Sequence, residues 1–146
     1  MGSTYLFTQG PYLPSTGGTV SGNLTVNGLI QFGSNAPTVT ASAGAGTGAP
    51  SPVVTTGSNT CGGTITWGTG SGPNTQAQLS VTFAIPWTIP GGGGPHVNVT
   101  PVNSATQALG LFVTGISPTG FQVNVASAPA AGQGASTYQF CYSAMG

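Results

Sequence analysis

In 146 residues there is no Asp, Glu, Lys or Arg. An average soluble chain is roughly one quarter charged, so independent draws would give this on the order of once in 10^18. The absence excludes whole classes of chemistry. There is no carboxylate for general acid–base work, no Lys for a Schiff base and no Arg to clamp a phosphate. There is no basic patch, so counterion release cannot drive binding to nucleic acid, and no nucleic-acid partner is expected. Salt bridges between side chains cannot form, so binding and stability should respond weakly to salt. Reactive side chains are also scarce, with one His and two Cys. No apolar run reaches the length of a membrane span, and no membrane partner is expected. The mean hydropathy of +0.20 therefore reflects missing charge. The opening residues lack the basic region and apolar block of a signal peptide.

Zero charge also removes colloidal stability, since near-neutral domains tend to associate. Such a chain is better accommodated inside a large assembly than as a free monomer.

Glycine and proline are abundant, at 26 and 12 residues. That is about the level at which disorder becomes a serious reading. Yet six Phe, four Tyr and two Trp are present, and most of them sit in alternating runs. The pattern predicts many short strands joined by glycine-rich turns, with no helix of useful length. GGTITWGTG (62–70) points Ile65 and Trp67 one way, and AQLSVTFA (77–84) does the same with Leu79, Val81 and Phe83. HVNVTP (96–101) offers Val97 and Val99, GFQVNVA (120–126) Phe121, Val123 and Val125, and TYQFCYS (137–143) Tyr138, Phe140 and Tyr142. LGLFVTGI (109–116) is apolar on both faces and is expected to be a more central strand. SPTG (117–120) reads as a hairpin turn. Further strands are expected at 38–41 and 53–56. The expected core includes Leu79, Val81, Phe83, Phe121, Val123, Tyr138 and Phe140.

Residues 34–52, SNAPTVTASAGAGTGAPSP, divide the chain. They read as a linker or extended lead-in, separating an arm over 1–33 from a sandwich over 53–146. Inside the arm, GGTVSGNLTVNGLIQFG (17–33) sets Val20, Leu24, Val26, Ile30 and Phe32 on one face of an extended chain. One strand with one apolar face cannot bury that face alone. Three copies meeting on a threefold axis would enclose it, so the arm is expected to trimerise or attach the protein.

PYLPSTGGTVSGNLTVNG (11–28) resembles the LPL-GGT-(S/T)G-LTV-G segment of bacteriophage tail-fibre and other virion fibre proteins. GSNTCGGTITWGTG (57–70), AQLSVTFAIPW (77–87), VNVTPVNSATQALGLFV (97–113), TGFQVNVAS (119–127) and YQFCYSAMG (138–146) resemble, in that order, a module at the C-terminal end of phage fibre and head-fibre proteins. Only one copy of the fibre segment is present, and the absence of charge exceeds what that pattern requires. The fold expected is all-β, an antiparallel, jelly-roll-like β-sandwich with an extended N-terminal β arm, assembled as a homotrimer.

The candidate chemistry is sparse. His96 has no carboxylate to orient its ring, so it is expected as a polar strand residue. Three copies of it around an axis would be needed to hold a metal. GGGGPH (91–96) lacks the Lys of a phosphate loop. Cys61 precedes the first strong strand and Cys141 lies in the last. Such strands often lie side by side, which leaves a disulfide open; two free, partly buried thiols are the expectation. NLT (23–25) and NVT (98–100) match glycosylation acceptors, expected to be unused in a bacterial virus. No cofactor, metal or catalytic residue is expected.

The function expected is structural: a short capsid-decorating head fibre or decoration protein on the virion surface, docked on capsid or cement proteins. The alternative is a tail-fibre tip that binds a host receptor or glycan, with Trp67, Trp87 or a Tyr stacking on sugar rings.

Overall fold

The computed structural model describes residues 35–89 and 91–146. The arm residues Val20, Leu24, Val26, Ile30 and Phe32 lie outside the described residues. The described chain forms eight strands: β1 (Thr38–Ala41), β2 (Val53–Val54), β3 (Gly62–Trp67), β4 (Leu79–Thr82), β5 (His96–Pro101), β6 (Leu111–Ser117), β7 (Gly120–Val125) and β8 (Tyr138–Met145). A single-turn helix, α1 (Ser104–Gln107), lies between β5 and β6. The strands make two four-stranded antiparallel sheets, in the orders β1-β4-β7-β6 and β2-β3-β8-β5. Neighbours in sequence pair only in the hairpins β2–β3 and β6–β7; every other pairing is a crossover. The two sheets meet along their edges, β5 against β6 and β1 against β2. The described residues form an all-β sandwich.

Alternation builds the core. In β8, Tyr138, Phe140, Tyr142 and Ala144 point inward, while Cys141, Ser143 and Met145 are exposed. Ile65 and Trp67 of β3, Leu79 and Val81 of β4, and Phe121, Val123 and Val125 of β7 complete the inner faces, with Phe83 and Leu109 at the strand ends. Each fully buried large apolar side chain contributes about 1.5–3 kcal/mol. The aromatics form two groups. Trp67 stacks at 5.1 Å on Tyr138 and edge-on at 5.5 Å to Phe140. Phe121 links Tyr142 at 5.9 Å to Phe83 at 5.7 Å, and Phe83 meets Trp87 edge-on at 6.4 Å.

One expectation is corrected. LGLFVTGI does not form a central strand. It becomes β6, at the edge of its sheet, with Phe112 and Ile116 left 45% and 43% exposed. Its second apolar face is simply uncovered. Within the stretch 34–52, the strand expected at 38–41 is present as the edge strand β1, paired with β4 from Thr38↔Thr82 to Ala41↔Leu79. It then makes a short 3-10 turn whose Gly44 and Ala45 are buried.

Without Lys or Arg, the usual charged guards of sheet edges are unavailable. The edges carry other devices. β2 is two residues long, and β5 stops at Pro101. The register of β6 slips by one residue between Thr114 and Ser117. Gly115 sits in that bulge at φ 58°, a backbone shape that glycine adopts without strain.

Candidate functional site

The connections at the two ends of the sandwich are built differently. At the end holding the C-termini of β3 and β4's N-terminus, three glycine-rich loops are stitched together by their backbones. The Gly70 amide donates to the Ala45 carbonyl at 2.8 Å, and the Gly132 amide to the Gly70 carbonyl at 2.9 Å. Thr47 and Ser71 exchange two bonds of 2.9 Å. The buried Thr69 hydroxyl donates to the Ala130 carbonyl at 2.5 Å and accepts from the Gln133 amide at 3.2 Å. Gln78, fully enclosed, donates through Nε2 to the carbonyls of Asn74 and Gln76 at 2.7 Å each. Beside them, Asn103 caps α1 by accepting from the Thr106 amide at 2.9 Å and hydroxyl at 2.8 Å. That hydroxyl in turn accepts from the Gln139 amide at 2.7 Å. A side chain at Gly70 would drive its Cβ into the Thr47 carbonyl.

The opposite end is open. A cleft of about 290 Å³ is lined by Asn35, Asn59, Thr60, Cys61, Ile85 and Trp87 among others. A second hollow of about 540 Å³ shares Cys61 and Trp87 and reaches Ser143 and Met145 in the last strand. The turn before β3 shapes one wall. Asn59 Oδ1 accepts from the amides of Cys61 at 2.8 Å and Gly62 at 3.2 Å, as turn asparagines do. The Tyr142 hydroxyl donates to the Asn59 carbonyl and ties this turn to β8. The other wall is the segment after β4. The Phe83 amide donates to the Thr119 carbonyl at 2.9 Å, and the Trp87 amide to the Pro118 carbonyl at 2.8 Å. This lays the segment along the β6–β7 turn. The Trp87 indole N–H is enclosed and bonds to no acceptor among the described residues, and the ring packs edge-on against Phe83.

The thiols are free. Cys141 is the register partner of Thr64, three residues beyond Cys61, so about 10 Å separates the two along the strands. That exceeds the reach of a disulfide, roughly 7 Å between Cα atoms. They also face apart: Cys141 is on the exposed outer face, 3.4 Å from the Thr64 hydroxyl, and Cys61 lines the cleft. Burial pushes the Cys61 thiol above its ordinary value, which disfavours the nucleophilic thiolate. Burial, then the neighbouring Cys61 charge, raises the Tyr142 phenol strongly.

His96 is exposed at the start of β5, opposite Met145. Among the described residues no three His, Cys, Asp or Glu side chains group together. No helix of the described residues is long and apolar enough to cross a membrane. The expected core residues Leu79, Val81, Phe83, Phe121, Val123, Tyr138 and Phe140 are all buried. Trp67 is wholly buried as well, so it cannot stack on a ligand, whereas Trp87 is partly exposed in the cleft. The cleft leaves little trace in the sequence pattern. Its only sequence signal is AIPWTIP (84–90), an apolar run that breaks alternation after Phe83.

Compared with family models, with curated proteins and with solved structures, the chain matches none.

Proposed function

We propose that this chain is a structural protein of a bacteriophage virion, a short decorating protein on the capsid surface that acts as a homotrimer. The observation that carries this reading is the complete absence of Asp, Glu, Lys and Arg. A free domain gains solubility from charge, and a subunit held in a large particle takes it from its neighbours. The sandwich supports the reading by burying a full aromatic core with no ionic contribution. In this role the arm over 1–33 attaches or trimerises the protein, and the capsid or cement proteins are its partners.

A tail-fibre tip that binds a host glycan is the second reading. Trp87 favours it, because that partly exposed ring lies in a cleft with the amides of Asn35 and Asn59 and the hydroxyls of Thr60 and Thr88. Neutral sugars are recognised by this kind of lining, an aromatic surface with a few polar groups.

Electron microscopy of virions labelled with an antibody to this protein separates the two. Label spread over the head supports decoration, and label on the tail supports the tip. Label on neither overturns both. Washing particles in rising NaCl adds a second test. Retention to about 1 M salt is expected, because screening has no side-chain charge on this protein to act on. Release by salt alone counts against a charge-free attachment.

A further inference from the structure

We propose that His96 and Met145 together bind a soft monovalent cation, copper(I) or its analogue silver(I). The proposal goes beyond the virion reading and does not rest on it. His96 is the only histidine of the chain, and Met145 is one of two methionines. They are direct register partners across β5 and β8. Both side chains lie on the outer face of that sheet. Burial alternates along the two strands, so His96 and Met145 fall in exposed positions while the next pair, Val97 and Ala144, turns inward. Packing gives no reason for a methionine there. At 68% exposure it is the most open of the large apolar side chains exposed among the described residues.

The geometry suits two donors on one ion. Directly opposed residues of an antiparallel pair hold their Cβ atoms about 4.5–5.5 Å apart. Bonds from an imidazole nitrogen and a sulfur to a small ion with a filled d shell run about 2.0 and 2.3 Å, so donors on opposite sides of that ion stand about 4.3 Å apart. Both side chains reach that separation by rotation about their own bonds, without moving the backbone. Copper(I) and silver(I) accept two-coordinate, near-linear geometry, and a thioether selects them over harder ions. Charge narrows the choice further. The adjacent pair on this face is Asn98 and Ser143, and no carboxylate exists anywhere in the chain. A divalent ion would hold its double charge against neutral donors. Zinc takes about four donors, and one copy of the chain supplies two here. The thiols stand apart from the pair. Cys141 is four residues back along β8, about 13 Å away. The Cys61 carbonyl accepts from the Ala144 amide at 2.8 Å, which sets Cys61 one register step from Met145, where it lines the cleft. A bound ion ties the edge strand β5 to β8, and it stabilises the fold as any ligand of the native state does.

The test is titration of the full chain with silver(I) in chloride-free buffer, followed by NMR. Free thiols bind silver themselves, so the chain carries Cys61→Ser and Cys141→Ser. One equivalent is expected to bind, shifting the Met145 methyl and His96 ring signals together and raising the melting temperature. His96→Ala and Met145→Leu should each weaken binding by about 10- to 100-fold or more, since partners outside the ligand set already have effects of that size. Both side chains are exposed, so unchanged circular dichroism is expected of these variants. Met1→Leu should leave binding unchanged, and zinc should bind far more weakly than silver. X-ray absorption of the copper(I)-loaded chain should show one nitrogen and one sulfur neighbour. Should the serine variants not fold, the native chain provides the same readout: its thiols take the first two equivalents, and the two signals move together on the third. The proposal is overturned if neither signal moves, if only one does, if Met145→Leu binds silver as the parent does, or if zinc binds as tightly as silver.

Discussion

The two ends of the sandwich use one uncharged alphabet for opposite purposes. At one end Gly, Ala, Ser and Thr let three loops approach until backbone amides meet backbone carbonyls. The other end spends its large apolar residues, Ile85, Trp87 and Met145, on the walls of a hollow. Small residues there would have allowed closure, and large ones hold the walls apart. The difference teaches that glycine-rich sequence can be the most tightly constrained part of a fold, while apolar sequence can be the part left open.

The largest effects should come from the core that both ends share. Phe140→Ala and Phe83→Ala should each cost about 3–5 kcal/mol, the range for truncating a buried Phe. Phe140 sits with Trp67 toward the stitched end, and Phe83 with Trp87 toward the cleft. Chemical denaturation measures both. A loss at Phe83 below about 1 kcal/mol would show that the core does not extend under the cleft.

Next come the stitched loops. Gly70→Ala should destabilise by about 1–3 kcal/mol, the range for overpacking, because its Cβ meets the Thr47 carbonyl. Gly134→Ala lies among the same loops with open space around the new methyl, and should change stability by less than about 0.5 kcal/mol. Thermal melts of the pair decide whether close approach or merely glycine content matters there. Equal costs would remove the contrast between the ends.

Tyr142→Phe tests a side-chain clasp at the cleft end. Losing its bond to the Asn59 carbonyl should cost about 1 kcal/mol. The same residue predicts a pH response. Folding raises the proton affinity of both Cys61 and Tyr142, from ordinary values of 9.0 and 10.0. The unfolded chain therefore releases these protons first as pH rises. Their stabilisation is fully present below about pH 9 and is lost progressively above it. No Asp or Glu exists to drive acid unfolding. Melting temperature against pH should be level through neutrality and fall on the alkaline side, less steeply in Tyr142→Phe. A fall confined to acid pH would contradict this account.

The smallest effect belongs to the cleft rim. Ile85→Ser and Met145→Ser should alter the stability of the monomer by less than about 0.5 kcal/mol, because both side chains are mostly in solvent. A cost above about 1 kcal/mol in the melt would mean that the rim is part of the core and the open end is no different from the stitched one.

Period-two alternation marked β3, β4, β7 and β8 and the residues they turn inward. It works because successive side chains of a strand face opposite ways whatever the tertiary context. The same rule placed Cys141 on the outer face and Tyr142 inside. Composition alone removed ionic chemistry, since a missing residue type is missing in every fold. Three things were decided only in three dimensions. β6 is apolar on both faces, and whether a second face is covered depends on the strand's place in the sheet, which alternation does not encode. Beyond the strand at 38–41, the stretch 34–52 reads as a lead-in because its contacts are carried by backbone hydrogen bonds, which leave no side-chain signature. The cleft arises where the turn before β3, the segment after β4 and the end of β8 converge. Residues 59, 87 and 145 are far apart along the chain, and only the crossovers between strands bring them to one end of the sandwich.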